Sequence, residues 1–103
     1  MIISKISARK ALKEVLDESF GQFVRDIRET DEISQAELAR RMLVSRQFIN
    51  AIEHDKANVS IPMAMKIAQC FGYPHEAFVE VLLDDMLKKA GIEKLVSLMP
   101  KAA

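Results

Sequence analysis

The stretch SQAELARRMLVSRQFINAIEH, residues 34–54, decides the fold. Ser34 stands before Gln35-Ala36-Glu37, the spacing of a capping box. Its hydroxyl can accept from the Glu37 N–H while the Glu37 carboxylate reaches back to the helix start. Leu38, Ala39 and Met42 then mark a buried side, and after a turn at Leu43-Val44 a second cap, Ser45, opens a helix running to about His54. Ile49 and Ile52 face inward from this second helix. Val44 plugs the turn, and Ala39 is small enough for the two helices to cross closely. The stretch predicts two short helices, joined by a tight turn, that share one apolar face.

Working outward, residues 55–59 read as a loop, and Ser60 caps a further helix. Pro62 is tolerated in its first turn, where the missing N–H breaks no helical bond. Ile61, Ala64, Ile67, Ala68 and Phe71 are its expected inward residues, and Gly72 ends it at a position suited to a left-handed residue. A long helix follows from His75 to about Ala90, stopped by Gly91, and a short turn from Ile92 to Met99 ends before Pro100. On the other side, residues 7–18 read as a helix with Ala8, Leu12, Val15 and Leu16 on one flank. Ser19 followed by Gln22 has capping spacing and can start a new helix through Glu29. Alternatively the two helices merge, because Leu12, Leu16, Phe20, Phe23, Val24 and Ile27 form one stripe.

The composition agrees with helix-on-helix packing. Half of the 103 residues are hydrophobic and 29% charged, which suits one folded domain. Three glycines and three prolines are too few for the turns of a β-sandwich or barrel. One cysteine, Cys70, rules out an internal disulfide and fits a reducing compartment. The first residues, MIISKISARKAL, carry no long apolar signal region, and no apolar run nears the ~20 residues that span a bilayer. A cytoplasmic protein without a membrane association is expected.

Burial of one face of residues 46–54 leaves Arg46, Gln47, Asn50 and His54 on the other, at i, i+1, i+4 and i+8. Such a face suits base edges. Arginine can donate two bonds to guanine, and glutamine or asparagine can pair bidentately with adenine. The parts fit a helix-turn-helix, whose second helix enters the major groove by its N-terminal end.

Residues 20–74, about half the chain, resemble the phage-repressor-type (XRE) helix-turn-helix family. SQAELARR matches the first helix of the pair, VSRQFINAIEHDK the recognition helix and the loop after it, and IPMAMKIAQCFG the next helix. The resemblance implies an all-α, lambda-repressor-like bundle of five to six helices. Residues 1–19 would be an extra N-terminal helix, 20–74 the DNA-binding domain, and 75–103 a C-terminal helical extension. It also implies that Gln35 bonds a phosphate through its backbone N–H and side chain, and that Arg46 and Gln47 read bases. Asn50 would contact a base or its phosphate, and His54, Lys56 and Asn58 would clamp the backbone, with Ser45 at the helix start beside them. Arg28 and Glu53 stand where the family has an internal salt bridge. One position departs from the pattern: Leu43 occupies the turn where the family usually has a left-handed glycine, at a cost of ~1 kcal/mol or more.

Charge alone does not identify a nucleic-acid binder, since fifteen basic residues balance fifteen acidic ones. Between Ile33 and Ser60 the cations are Arg40, Arg41, Arg46 and Lys56, and the anions Glu37, Glu53 and Asp55. Internal neutralisation of Glu53 would make the outward face more basic than this count. Blander readings exist for each residue. Arg46, Gln47 and Asn50 could be a solvated helix face, Arg28 and Glu53 unrelated surface charges, and Arg40 and Arg41 solvated. Phe48 is expected to be partly buried against a neighbouring helix. Cys70 and His75 lack companions at zinc-site spacing, and Asp84 and Asp85 diverge by about 100° on a helix, too far to act as an acid–base pair. No catalytic residue, metal or cofactor is expected.

The reading is a double-stranded DNA-binding transcriptional regulator, of repressor type, acting on a palindromic operator. The alternatives are an antitoxin whose main task is to bind a toxin, and an interaction module that no longer binds DNA. Phe78, Val79, Leu82, Leu83, Met86, Leu87 and Ala90 form an apolar stripe wider than a coiled-coil seam, continued by Leu95 and its neighbours. A homodimer through Phe78, Leu82, Leu83, Met86, Leu87 and Leu95 would bury it, whereas residues 1–18 folding back would cover it within one chain.

Overall fold

The computed structural model describes residues 18–91, which form five helices. These are α1 (Phe20–Thr30), α2 (Gln35–Met42), α3 (Arg46–Glu53), α4 (Ile61–Phe71) and α5 (His75–Lys89). Among the described residues there is no strand. The helix expected over 7–18 lies, Glu18 apart, outside them, as do the turn from Ile92 to Met99 and Leu95.

A serine caps each of the first four helices. The hydroxyls of Ser19, Ser34, Ser45 and Ser60 accept from the N–H groups of Gln22, Glu37, Phe48 and Met63 respectively. Each bond satisfies a donor that the helix itself cannot, a contribution of about 1 kcal/mol per cap. Ser19 is extended, with φ −74° and ψ 167°, so α1 starts afresh at Phe20 and does not continue an earlier helix. One half of the expected capping box is missing: the Glu37 carboxylate does not reach back but is held by Arg40 and Arg41. Two cations at i+3 and i+4 outcompete a single backbone N–H for it.

The first four helices also end alike. At each C-terminus a left-handed residue is followed by an N–H that returns to the carbonyl five residues before it. The pairs are Ile33 to Arg28, Val44 to Ala39, Lys56 to Ala51 and Tyr73 to Ala68, at 3.0, 3.0, 2.8 and 2.9 Å. The left-handed residues are Glu32, Leu43, Asp55 and Gly72, with φ of 57°, 59°, 59° and 78°. Only the last is the glycine this conformation favours. Leu43 thus takes the backbone geometry of the family's glycine, and its side chain stands 87% exposed over the turn. Leu43→Gly therefore removes a left-handed penalty of about 1–2 kcal/mol without opening a cavity. The unfolded chain gains freedom worth about 0.5–1 kcal/mol in return. Thermal melting is expected to show Leu43→Gly as stable as the parent or up to ~1 kcal/mol more so; a clear loss would contradict this account of the turn.

The core lies between α1, α4 and α5, with α2 and α3 packed across it. Phe78 of α5 is its centre. The ring is fully buried, and its centroid lies 6.5, 5.0, 6.0 and 6.1 Å from those of Phe20, Phe23, Phe71 and Tyr73. The Tyr73 hydroxyl reaches both carboxylate oxygens of Asp31 at 3.0 Å, tying the end of α4 to the end of α1. Leu38, Ala39, Met42, Ile49 and Ile52 are buried as expected, with Val44 and Phe48 half-buried against them. Two expectations need correction. Ile61 does not point inward; it is 42% exposed, as the first residue of α4 beyond the core layer that begins at Ala64. Phe78 and Leu82 are 0% and 4% exposed, so they belong to the core of one chain and not to the dimer surface expected from the sequence. Periodicity marks a wide apolar stripe but not which edge its own chain covers.

Gly21 has a role that sequence reading missed. A Cβ on it would lie 2.2 Å from the Ile52 carbonyl oxygen and 2.7 Å from Asp55 Oδ1. The first turn of α1 therefore rests directly on the last turn of α3. Asp55 seals this contact by accepting from Ser19 Oγ at 2.5 Å and from the Gly21 N–H at 3.2 Å.

Candidate functional site

The exposed face of α3 presents Arg46, Gln47 and Asn50, with Ser45 before it and His54 after it, all exposed. Lys56 and Asn58 stand exposed in the following loop. The structure thus brings these residues together along one helix and the loop that leaves it. Ser45 is committed to capping α3. His54 Nδ1 donates to the Asn50 carbonyl at 2.8 Å, which leaves Nε2 as the ring atom open to a partner.

Beneath this face lies the ion pair. Arg28 binds Glu53 in bidentate fashion, Nε to Oε2 at 2.6 Å and Nη2 to Oε1 at 3.1 Å, and its Nη1 donates to the Ile33 carbonyl at 2.8 Å. The side chains are 11% and 1% exposed. Glu53 is the last residue of α3, so the pair fixes α3 to α1. Gln35, half-buried at the first position of α2, joins the same group. Its Nε2 donates to Glu53 Oε1 at 3.0 Å and to Asn50 Oδ1 at 3.1 Å, and its Oε1 accepts from Arg46 Nη1 at 3.1 Å. The side chain of Gln35 was expected to meet phosphate. In the structure that side chain bonds Glu53, Asn50 and Arg46 within the protein.

The network answers the charge question. Glu53 is neutralised by Arg28, Glu37 by Arg40 and Arg41, and Asp55 lies 3.8 Å from the Lys89 ammonium. Every anion between Ile33 and Ser60 is thereby engaged. Among the described residues, two cations of that segment, Arg46 and Lys56, have no ion-pair partner, and both lie on or beside the α3 face. Arg41 is structural instead, donating to the Cys70 carbonyl at 3.2 Å and so tying α2 to the end of α4. Burial pushes the Cys70 thiol above its ordinary range, opposed by Lys66 and Arg41 nearby. Such a thiol is a half-buried packing group and a poor nucleophile at neutral pH.

The expected dimer surface splits. With Phe78 and Leu82 in the core, Leu83 and Leu87 are half-buried and Met86 is 51% exposed. Among the described residues no group of His, Cys, Asp or Glu could hold a metal ion, and no helix is long and apolar enough to cross a membrane.

A family model described as helix-turn-helix matches residues 24–78, just over half of the chain, from the middle of α1 to the start of α5. No curated protein and no solved structure matches the chain significantly.

Proposed function

The chain belongs to the phage-repressor-type helix-turn-helix family of DNA-binding regulators, and on that premise we propose that it represses transcription in the cytoplasm by laying α3 in the major groove of a specific operator. The observation that carries this reading is the α3 face itself. Arg46, Gln47 and Asn50 stand exposed on a helix anchored from below by the Arg28–Glu53 pair. The anchoring holds the reading side chains to one geometry, as base discrimination requires. In this reading Arg46 and Gln47 meet base edges, and Asn50 a base or its phosphate. The Gln35 N–H, Ser45, His54, Lys56 and Asn58 hold the sugar–phosphate backbone. A homodimer through Leu83, Met86 and Leu87, with Leu95 beyond the described residues, sets two copies of α3 one DNA turn apart, ~34 Å, and so favours a palindrome.

The test is a titration of labelled duplex DNA by fluorescence anisotropy at several salt concentrations. Affinity should fall linearly on a log–log plot, because each neutralised phosphate releases counterions. Lys56→Ala should weaken binding on all duplexes alike and reduce the slope by about one. Affinity that ignores salt, or a slope unchanged by Lys56→Ala, would contradict the backbone contacts assigned to this loop.

A further inference from the structure

The hydrogen-bonding polarity of the α3 face is set from inside the protein. A free asparagine amide can turn either its carbonyl or its NH2 toward a base, so its residue type alone specifies nothing. Here its orientation is dictated by a chain of obligate partners. Glu53 is an ionised carboxylate bound by Arg28, so toward Gln35 it can only accept. Gln35 must therefore direct its NH2 at Glu53, which turns its carbonyl oxygen to Arg46, a side chain that can only donate. The second proton of the Gln35 NH2 then meets Asn50, which must answer with Oδ1. Asn50 keeps its own NH2, and Arg46 the rest of its fork, unspent in this network.

We propose that Gln35 is a positioning residue that fixes the donor polarity of the reading face, so that Arg46 and Asn50 both offer N–H groups and select base edges that present acceptors. Guanine, with O6 and N7 together in the major groove, is the base Arg46 selects, and Asn50 donates to a purine N7, a guanine O6 or a thymine O4. The cytosine amino group, a donor, is rejected at both. A bidentate asparagine–adenine pair would have to use the second lone pair of the Oδ1 that already accepts from Gln35. The proposal rests on the DNA reading above but is separable from it.

Its test starts from a duplex enriched out of a random pool by the full-length wild-type chain, followed by base-pair substitutions across each half-site. Wild type should discriminate roughly tenfold or more at the base pairs facing Arg46 and Asn50, with acceptor edges preferred. Gln35→Met keeps the side-chain length and removes the relay. It should flatten discrimination at the Asn50 base pair, while the salt slope, which cations set and a neutral glutamine does not, stays as in wild type. Gln35→Glu supplies only acceptors and cannot bond Glu53, which itself only accepts, so it too should lose the acceptor-edge preference at the Asn50 base pair. Melting curves confirm that both variants fold. The salt slope separates a specificity role from a merely structural one, because a displaced helix would lose both. Wild-type preferences persisting in folded Gln35→Met, or a cytosine donor edge preferred by wild type at Asn50, would overturn the relay alone. If wild type enriches no duplex, the DNA reading fails and the relay with it.

Discussion

Arg28→Ala is expected to lower the stability of the fold by about 3–5 kcal/mol, the cost of leaving one member of a buried ion pair alone. The geometry places the pair well outside the class of surface bridges, which contribute little. Glu53 is 1% exposed, and its two oxygens take two arginine bonds and one from Gln35. Without the guanidinium, the carboxylate keeps one neutral donor and loses its countercharge. A domain of this size has only about 5–15 kcal/mol in hand, so the variant should melt at least ~12 °C lower. Replacing both partners, Arg28→Met with Glu53→Met, should cost less than the two single changes together, because no charge is then stranded. Chemical denaturation of the four proteins closes the cycle. A loss below ~1 kcal/mol for Arg28→Ala would mean that the pair is solvated like a surface bridge, and the anchoring of α3 would be wrong.

Gly21→Ala should be comparably damaging, against the helix propensity that favours alanine by about 1 kcal/mol. The added methyl would sit 2.2 Å from a backbone oxygen and 3.1 Å from the Glu53 carbonyl carbon, atoms that cannot rotate aside. Relief requires α1 to lift from the end of α3, which breaks the Gly21–Asp55 bond and loosens the layer containing Phe20. Overpacking of this kind costs about 1–3 kcal/mol and occasionally more, and a clash with backbone belongs at the upper end. Urea unfolding measures it. A stabilised Gly21→Ala would mean that α1 and α3 do not meet at this point.

The features legible in the sequence are those set by near neighbours. Ser34, Ser45 and Ser60 declare their helices because a cap bonds an N–H three residues on, and Gly72 declares an ending for an equally local reason. The Arg28–Glu53 pair was reached by resemblance, since 25 residues separate its members and no spacing rule joins them. Gly21 against Ile52, Asp55 against Ser19, and Tyr73 against Asp31 arise only when helices meet, and nothing in the local pattern announces them. The same limit applied to α5. Its apolar stripe was plain, but the assignment of Phe78 and Leu82 to a partner failed because the sequence does not say that four other aromatic rings surround Phe78. At the α3 face the exposure of Arg46, Gln47 and Asn50 together was legible. The commitment of Gln35 to Arg46, Asn50 and Glu53 was not, because it depends on the side-chain directions of two helices at once.

The central claim is that α3 reads double-stranded DNA, and selection from a random duplex pool by the full-length chain, with Arg46→Ala alongside, tests it most directly. Wild type is expected to enrich one motif built of inverted half-sites spaced by about a helical turn. Arg46→Ala should lose preference at a particular base pair in each half-site, at roughly 1–3 kcal/mol of discrimination, while still binding DNA. An unenriched pool with wild type, or the same motif recovered at the same strength with Arg46→Ala, would contradict the assignment of α3 as the recognition helix.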